Sequence, residues 1–350
     1  MRQRHWLGLG ALATGMLMAC SFVQSLDYLQ DGDPAGGEGG TESGGGGATP
    51  IPVASNQTAP RSLAQDQGSL YWLSDGVVMT IAKTANAMPR AIGTVMGAAH
   101  LAVDSDPAGA VYLAVGTDVF RLPKDGSAGA TIFKAPVGSP LADTLVADEA
   151  ALFVLQYDDN VEESRILRME RDGAAPTALV PDSGALPATL NADPSTLIWV
   201  DTNLTNSGFV EHDKTANGPP SKIIELGAAD DAPASSVNVA FDGTTIFWAT
   251  DGLSGGAGIF SRKRETAGTV LKLFVGTNET FGPVAIDAQN VYAILTNAGA
   301  ILRVSKQGGD GKRIVTGLVV PSGLVVDDTN IYFTVEGDGV GRGSVNKVAK

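Results

Sequence analysis

The sequence predicts an all-β fold, a single β-propeller of seven four-stranded blades, on three observations. One short phrase recurs seven times, at spacings of 38 to 49 residues, which is the period of propeller blades. Each copy is followed by an alternating strand and then by a short apolar segment. First, second and third strands each number seven, but fourth strands number six. One outer edge must therefore come from elsewhere, because an open ring leaves an unpaired edge.

The phrase is an apolar strand closing on aspartate, a tight turn, and a second apolar strand. It reads "LAQDQGSLYWL" (63–73), "LAVDSDPAGAVYLA" (101–114), "LVADEAALFVL" (145–155) and "LNADPSTLIWV" (190–200). It continues as "VAFDGTTIFWA" (239–249), "VAIDAQNVYAI" (284–294) and "LVVDDTNIYFT" (324–334). The aspartates are Asp66, Asp104, Asp148, Asp193, Asp242, Asp287 and Asp327. Five positions beyond six of them stand Tyr71, Phe153, Ile198, Phe247, Tyr292 and Tyr332. In the second copy the turn is longer and Tyr112 follows eight positions on. Near-continuous apolar runs fit strands buried on both faces between neighbouring blades.

Third strands alternate. In "DVFRLPKDG" (118–126), "RILRMERDG" (165–173) and "AILRVSKQGG" (300–309), Arg121, Arg168 and Arg303 take one face and Phe120, Leu167 and Leu302 the other. The Asp-Gly pairs at 125–126 and 172–173 read as hairpin turns with both residues at positive φ. Fourth strands follow in "ALVPD" (178–182), "KIIEL" (222–226), "LKLFVG" (271–276) and "RIVTG" (313–317). The seventh copy stops after its third strand, so "TPIPVAS" (49–55), ahead of the first phrase, is the candidate to close the ring. A six-bladed ring with one degenerate copy is the alternative.

The pattern Asp-x-x-x-apolar-aromatic, with "IFWATD" (246–251) and "LYWLSD" (70–75), resembles the YWTD-type β-propellers. It is similar, more loosely, to bacterial propellers of NHL and TolB-like repeats. The resemblance covers residues 60–350 and implies the fold.

The N-terminus carries an address. Arg2 and Arg4 precede an apolar run from Trp6 to Ala19 that is too short to span a membrane. It ends in "LMAC" (17–20), which resembles the bacterial lipobox. That resemblance implies cleavage before Cys20, the single cysteine, and a lipid on its thiol. Several acyl chains would anchor stably where one is marginal. Ser21 after the cysteine is similar to the outer-membrane-sorted class, so the expected place is the cell envelope. The expected organisation is a signal peptide at 1–19, a lipidated cysteine with a disordered, Gly-rich acidic tether at 20–48, and the propeller at 49–350. From Asp31 to Pro50 there are nine glycines, and no Lys or Arg occurs from Ser21 to Pro60. Such a stretch cannot bury a core, and about 30 flexible residues reach roughly 30 Å.

Chemistry is sparse. The net charge of −14 becomes −16 without residues 1–19, which hold two arginines and no acid. That balance argues against nucleic acid, which needs clustered Lys and Arg. Only His100 and His212 remain after cleavage, in separate copies, so a zinc site or a Ser/His/Asp triad is not expected. There is no G-x-S-x-G and no H-E-x-x-H; "GGDGKR" (308–313) and "GDGVGRG" (337–343) match neither phosphate nor dinucleotide motifs. No cofactor is expected beyond the lipid on Cys20, with Ca²⁺ the metal that acidic loops could take. The seven aspartates read as turn residues, since the carboxylate can accept turn N–H groups.

Propeller loops fall on two faces. The second-to-third and fourth-to-first connections carry Asp158, Asp159, Glu162, Glu163, Asp182, Asp201, Asp230, Asp231, Asp251, Glu279, Glu336 and Asp338. The opposite third-to-fourth turns carry Lys124, Arg171, Lys214, Arg262, Lys263, Arg264, Lys306, Lys312 and Arg313. One acidic and one basic face are expected, with the basic face toward anionic lipid and the tether leaving from that side. The functional expectation is a monomeric, non-catalytic binding scaffold on the envelope. It would take a protein or envelope polymer on its acidic loop face, because variable loops on a rigid frame carry binding. The alternative is a propeller-type lyase or hydrolase with a carboxylate-held metal in the central channel.

Overall fold

A run such as "LYWLS" or "IFWAT" is β-branched, aromatic and apolar on both sides, so it is stable only where both faces are covered. The computed structural model describes residues 47–350 apart from 159–162, 182–189, 202–207, 221, 226–238, 251–256, 265–267 and 277. There these runs become the second strands of seven antiparallel sheets, buried along almost their whole length.

Strand β1 (Ile51–Gln57) comes first in the chain and belongs to the last blade. Blade 1 holds β2 (Pro60–Gln65), β3 (Ser69–Ser74), β4 (Val77–Ala82) and β5 (Arg90–Thr94). Blade 2 holds β6 (Ala102–Val103), β7 (Ala110–Val115), β8 (Asp118–Pro123) and β9 (Ala130–Lys134). Blade 3 holds β10 (Leu141–Ala147), β11 (Leu152–Asp158), β12 (Glu163–Met169) and β13 (Thr177–Val180). Blade 4 holds β14 (Leu190–Ala192), β15 (Thr196–Asp201), β16 (Gly208–Asp213) and β17 (Lys222–Glu225). Blade 5 holds β18 (Val239–Phe241), β19 (Thr245–Thr250), β20 (Gly258–Lys263) and β21 (Val270–Val275). Blade 6 holds β22 (Phe281–Ile286), β23 (Asn290–Leu295), β24 (Ala300–Ser305) and β25 (Lys312–Val315). Blade 7 holds β26 (Pro321–Val326), β27 (Asn330–Val335) and β28 (Gly343–Ala349), completed by β1.

The seventh sheet therefore closes on the N-terminal strand, in the order β1-β28-β27-β26. Ile51 faces Lys347 and Gln57 faces Gly343 in the register. Seven sheets remove the six-bladed alternative. Two contacts fix β1 in place. Ala54 packs in one cluster with Val345 of blade 7 and Leu63 and Trp72 of blade 1. The Trp72 indole N–H donates to Gln57 Oε1 at 3.1 Å, with both groups buried.

The core is a set of wedges between blades rather than one central mass. Between blades 4 and 5, Phe209 meets Trp248 edge-on at 5.2 Å, and Trp248 stacks on Phe260 at 5.8 Å. Such offset and edge geometries suit the ring quadrupoles.

Turn chemistry differs from expectation at one kind of position. The Asp-Gly pairs at 125–126 and 172–173 have positive φ only at Gly126 (85°) and Gly173 (86°). Gly126 N–H bonds to the Pro123 carbonyl at 3.0 Å, placing Gly126 last in a four-residue turn. The reason is length: five or more residues separate third from fourth strands here, so no two-residue hairpin is needed. The two-residue hairpin lies instead at Asp75-Gly76 between β3 and β4, where both φ are positive (51° and 77°).

Ahead of β1, the Ala48 N–H donates to the Ile314 carbonyl at 2.8 Å. Residues 47–48 thus lie against the outer edge of blade 6, where an edge strand offers an unpaired acceptor. Strand β1 then starts opposite Lys347, near the end of β28 and so on the third-to-fourth side, while the tether before residue 47 lies outside the described residues.

Candidate functional site

The repeated phrase builds one recurrent site, formed seven times between adjacent blades. Each turn aspartate ends a first strand. Except in the lengthened second copy, Oδ1 accepts the N–H groups two and three residues on. Asp287, for example, takes Gln289 at 2.8 Å and Asn290 at 2.7 Å, and Asp148, Asp193 and Asp327 repeat the pattern. The second oxygen faces outward from the turn, toward the next blade.

A cation from that next blade meets it. Lys124 reaches Asp66 at 2.8 Å, Arg171 reaches Asp104 at 3.1 Å and Lys214 reaches Asp148 at 2.7 Å. Arg264 reaches Asp193 at 2.6 Å, Lys306 reaches Asp242 at 2.7 Å and Lys350 reaches Asp287 at 3.1 Å. Lys83 of blade 1 then reaches Asp327 of blade 7 at 3.3 Å and completes the circle. Every cation stands just past the end of its third strand. Seven blades are joined by seven ion pairs on one face.

The aromatic five positions beyond the aspartate belongs to the same site. Lys306 Nζ lies 4.8 Å from the Phe247 ring centre, Lys214 5.3 Å from Phe153, Lys124 5.5 Å from Tyr71 and Lys83 5.5 Å from Tyr332. One cation is thus shared by a carboxylate and a ring face. Where the fourth copy has Ile198 instead of an aromatic, Arg264 takes a second carboxylate, Glu211 at 2.8 Å. Tyr71 and Tyr292 also donate their hydroxyls back to Asp66 and Asp287, at 2.8 and 2.9 Å.

The electrostatics follow. Burial by itself would raise these carboxyls, but the hydrogen bonds and cations outweigh it, and Asp66, Asp148, Asp193, Asp242, Asp287 and Asp327 all titrate below the usual range. Asp327 is held at about 2 by the turn N–H groups and Lys83. Burial and then Asp287 push the Tyr292 phenol up to about 12. These are aspartates locked in the ionised form, the opposite of a general acid tuned toward neutrality.

The same geometry compensates part of the expected basic face, while Lys263 and Lys312 stand exposed with no ion pair among the described residues. Lys124, Arg171, Lys214, Arg264 and Lys306 do lie on the third-to-fourth side, but each is matched by a turn aspartate there. Arg313 is paired with Glu279 at 2.7 Å. These cations give that face no excess positive charge to offer a membrane. Sequence reading missed the pairing because it counted the aspartates only as turn residues. The available signal was a Lys or Arg directly after each third strand.

On the opposite face, Asp159, Asp182, Glu162, Asp230, Asp231 and Asp251 lie outside the described residues, as do Cys20 and the tether before residue 47. Asp158, Glu163 and Asp201 fall in strands, with side chains outside the described set. Glu336 is half-buried; Asp338 is exposed and bonded to Arg342 at 3.1 Å. Among the described residues, the loops of this face also present apolar side chains. Of nine large apolar side chains exposed among the described residues, five stand in its loops: Met96, Val137, Val319, Val320 and Val340. Val320 has a φ of 54°, a left-handed value that strains a β-branched residue. Glu336 N–H holds its carbonyl at 2.9 Å.

First strands adjoin one another round the axis. Among their residues the single carboxylate is Asp143, whose side chain is outside the described set. Among the described residues, no group of three or more His, Cys, Asp or Glu is placed to hold a metal ion. His212 is buried, with Nε2 2.8 Å from the Ala216 carbonyl.

No protein-family model matches the chain, and no curated protein matches it. Solved structures do match in shape. Hydrazine synthase from Kuenenia stuttgartiensis aligns with a TM-score of 0.63 at 12% identity, over 85% of this chain and 97% of that one. An oligogalacturonate lyase in complex with manganese aligns at 0.59 and 12% identity, over 87% and 98%. The N-terminal domain of Nup159 aligns at 0.55 and 9% identity, over 86% and 94%. Identities this low carry the fold and nothing of activity. Seven closed sheets and these neighbours together make the chain a seven-bladed β-propeller.

Proposed function

We propose that this protein is a non-catalytic binding scaffold, lipid-anchored at Cys20 in the bacterial cell envelope, that takes a protein or envelope polymer on its second-to-third and fourth-to-first loop face. The observation that carries this reading is the contrast between the two faces. One face spends its seven carboxylates on holding blades together. The other leaves Met96, Val137, Val319, Val320 and Val340 in solvent, with Val320 held in a strained conformation that does nothing for the core. Exposed apolar groups on variable loops mark interaction sites. The YWTD-like phrase and the lipobox-like "LMAC" support the same picture of a displayed, anchored module.

The test is affinity capture from envelope extracts with the full chain as bait, beside Val320→Asp and Val340→Asp variants and a charge reversal of Asp158, Asp159, Glu162 and Glu163. The expected outcome is a partner retained by wild type and lost from at least one variant set, with ring stability unchanged. Capture that is identical in all of them removes this face from the proposal. Mass analysis of the mature N-terminus, with a Cys20→Ser control that moves the protein to the soluble fraction, tests the anchor.

A further inference from the structure

One copy of the phrase breaks the repeat, and the structure puts a cavity at the break. The turn after Asp104 runs on through Ser105, Asp106, Pro107, Ala108 and Gly109 before β7 begins. Gly109 packs so closely on the Asp104 carboxylate that a Cβ there would collide with both carboxylate oxygens. The lengthened turn, the start of β9 and the Arg171 turn of blade 3 enclose a cavity of about 340 Å³ between blades 2 and 3. That volume is at the small end of ligand sites.

The groups round it are of both signs. Arg171 spends one N–H on Asp104 Oδ2 at 3.1 Å, and its side chain stays 32% exposed. Its Nε and Nη2 donors have no protein partner among the described residues. Arg121 stands opposite Tyr112 in the β7–β8 register and lines the cavity, with no ion pair among the described residues. Asp106 and Asp172 stand exposed at the rim. Each commits Oδ1 to a turn N–H, of Ala108 and Ala174, at 2.9 Å, and keeps its other oxygen open. Between these charges lies a short apolar wall of Ala108, Ala130 and Ile132.

The geometry points to a binding site for a small zwitterion of the α-amino-acid or dipeptide class. Arg121 and Arg171 take the carboxylate in the forked geometry that guanidinium groups favour. Asp106 and Asp172 take the ammonium group, and the alanine and isoleucine side chains cover a short apolar body. A simple anion would meet the two rim carboxylates, and a simple cation the two guanidinium groups. The site lies on the ion-pair face, opposite the loops of the proposed binding surface, and does not depend on that reading.

The experiment is calorimetric titration of the full chain with alanyl-alanine. N-acetyl-alanine, which lacks the ammonium, and alaninamide, which lacks the carboxylate, serve as comparators. Saturable binding of alanyl-alanine is expected, with about tenfold or greater weakening for each comparator and in Arg121→Gln. Arg121 is not one of the seven inter-blade cations, so the melting temperature of that variant should match wild type. If Arg121→Gln does not fold, Asp172→Asn, at the exposed rim, takes its place with the same expected weakening. No binding of alanyl-alanine overturns the proposal. So does N-acetyl-alanine binding as tightly, or affinity unchanged in the variant. None of these results touches the loop-face reading.

Discussion

Lys83 Nζ lies 3.3 Å from Asp327 Oδ2 and ties the first blade to the last. Among the described residues it is the one ion pair that crosses the closure of the ring, alongside β1. Both partners are largely buried, at 11% and 24% side-chain exposure. Lys83→Met should cost about 1–2 kcal/mol, between the values for exposed and buried pairs. For a ring of this size that is a fall in Tm of roughly 1.5–3 °C. Thermal unfolding that is the same for wild type and Lys83→Met would show that the seam is held without this pair, by β1, the Gln65–Val326 and Ser322–Pro60 hydrogen bonds and the apolar cluster around Leu63 and Tyr332.

The blade 1–2 junction should be the most sensitive of the seven. Lys124 is only 4% exposed and also lies 3.3 Å from Asp104, which is fully buried. Its ammonium donates to the Asp104 and Asp106 carbonyls as well, both at 2.7 Å. Lys124→Met leaves the buried Asp66 without its cation, while Asp104 keeps Arg171, and removing one partner of a buried pair costs about 3–5 kcal/mol. Lys306→Met should cost less, because Asp242 is 32% exposed and can recover water. Equal losses in a denaturant titration of the two variants would contradict this ordering.

Closure by β1 makes a separate prediction. Gln57→Ala leaves the buried Trp72 indole N–H without its acceptor, at a cost of about 1–3 kcal/mol. A chain that begins at Pro60 exposes the whole edge of β28, and it should associate through that edge. Light scattering of the shortened protein, with a synthetic 47–58 peptide added back, reads this directly. A monomeric, fully stable shortened ring would mean that six four-stranded blades and one three-stranded blade suffice.

Acid should open the ring late and within a narrow range. Asp327 titrates at about 2 in the folded chain, against an ordinary value of 3.8. A carboxyl lowered on folding adds stability that is present above the unfolded pKa and is lost as pH falls through the folded one. Five more turn aspartates are lowered in the same direction, so stability should hold to about pH 4 and then fall steeply toward pH 2. At the other end, Tyr292 is raised from 10.0 to about 12. Its contribution is complete below pH 10 and disappears as pH rises through 12. Circular dichroism across pH 2 to 12 tests both limbs. An acid midpoint above about pH 5 would be inconsistent with carboxyls held this low.

The seven-fold site was half legible in the sequence. Asp242 and Phe247 could be read together because they are five residues apart and repeat; their partner Lys306 could not, because it is 64 residues further on in another blade. Local spacing fixes which side chains leave a turn together. It does not say which face of a neighbouring sheet will stand opposite. The cations were therefore placed on the correct side of the ring, yet read as an uncompensated basic surface. The cavity at Asp104 had a trace in the sequence as well, in the three residues by which the second copy is longer, but nothing local marks an insertion as a cavity wall.

By itself, the sequence determined the blade count, the order of strands and the closure by an N-terminal strand. Those follow from a two-residue alternation, from turn residues and from a missing edge, all of which are properties of short segments and of counting. The tertiary structure alone decided that the turn aspartates are spent between blades, that the Gly47–Ala48 segment meets the ring on the flank at Ile314, and that Arg121, Arg171, Asp106 and Asp172 line one cavity. Each of those joins segments of different blades, 50 (Arg121 with Arg171) to 266 (Ala48 with Ile314) residues apart, set only when wedge-shaped sheets pack into a closed circle and bring one blade's turn against the next blade's strand end.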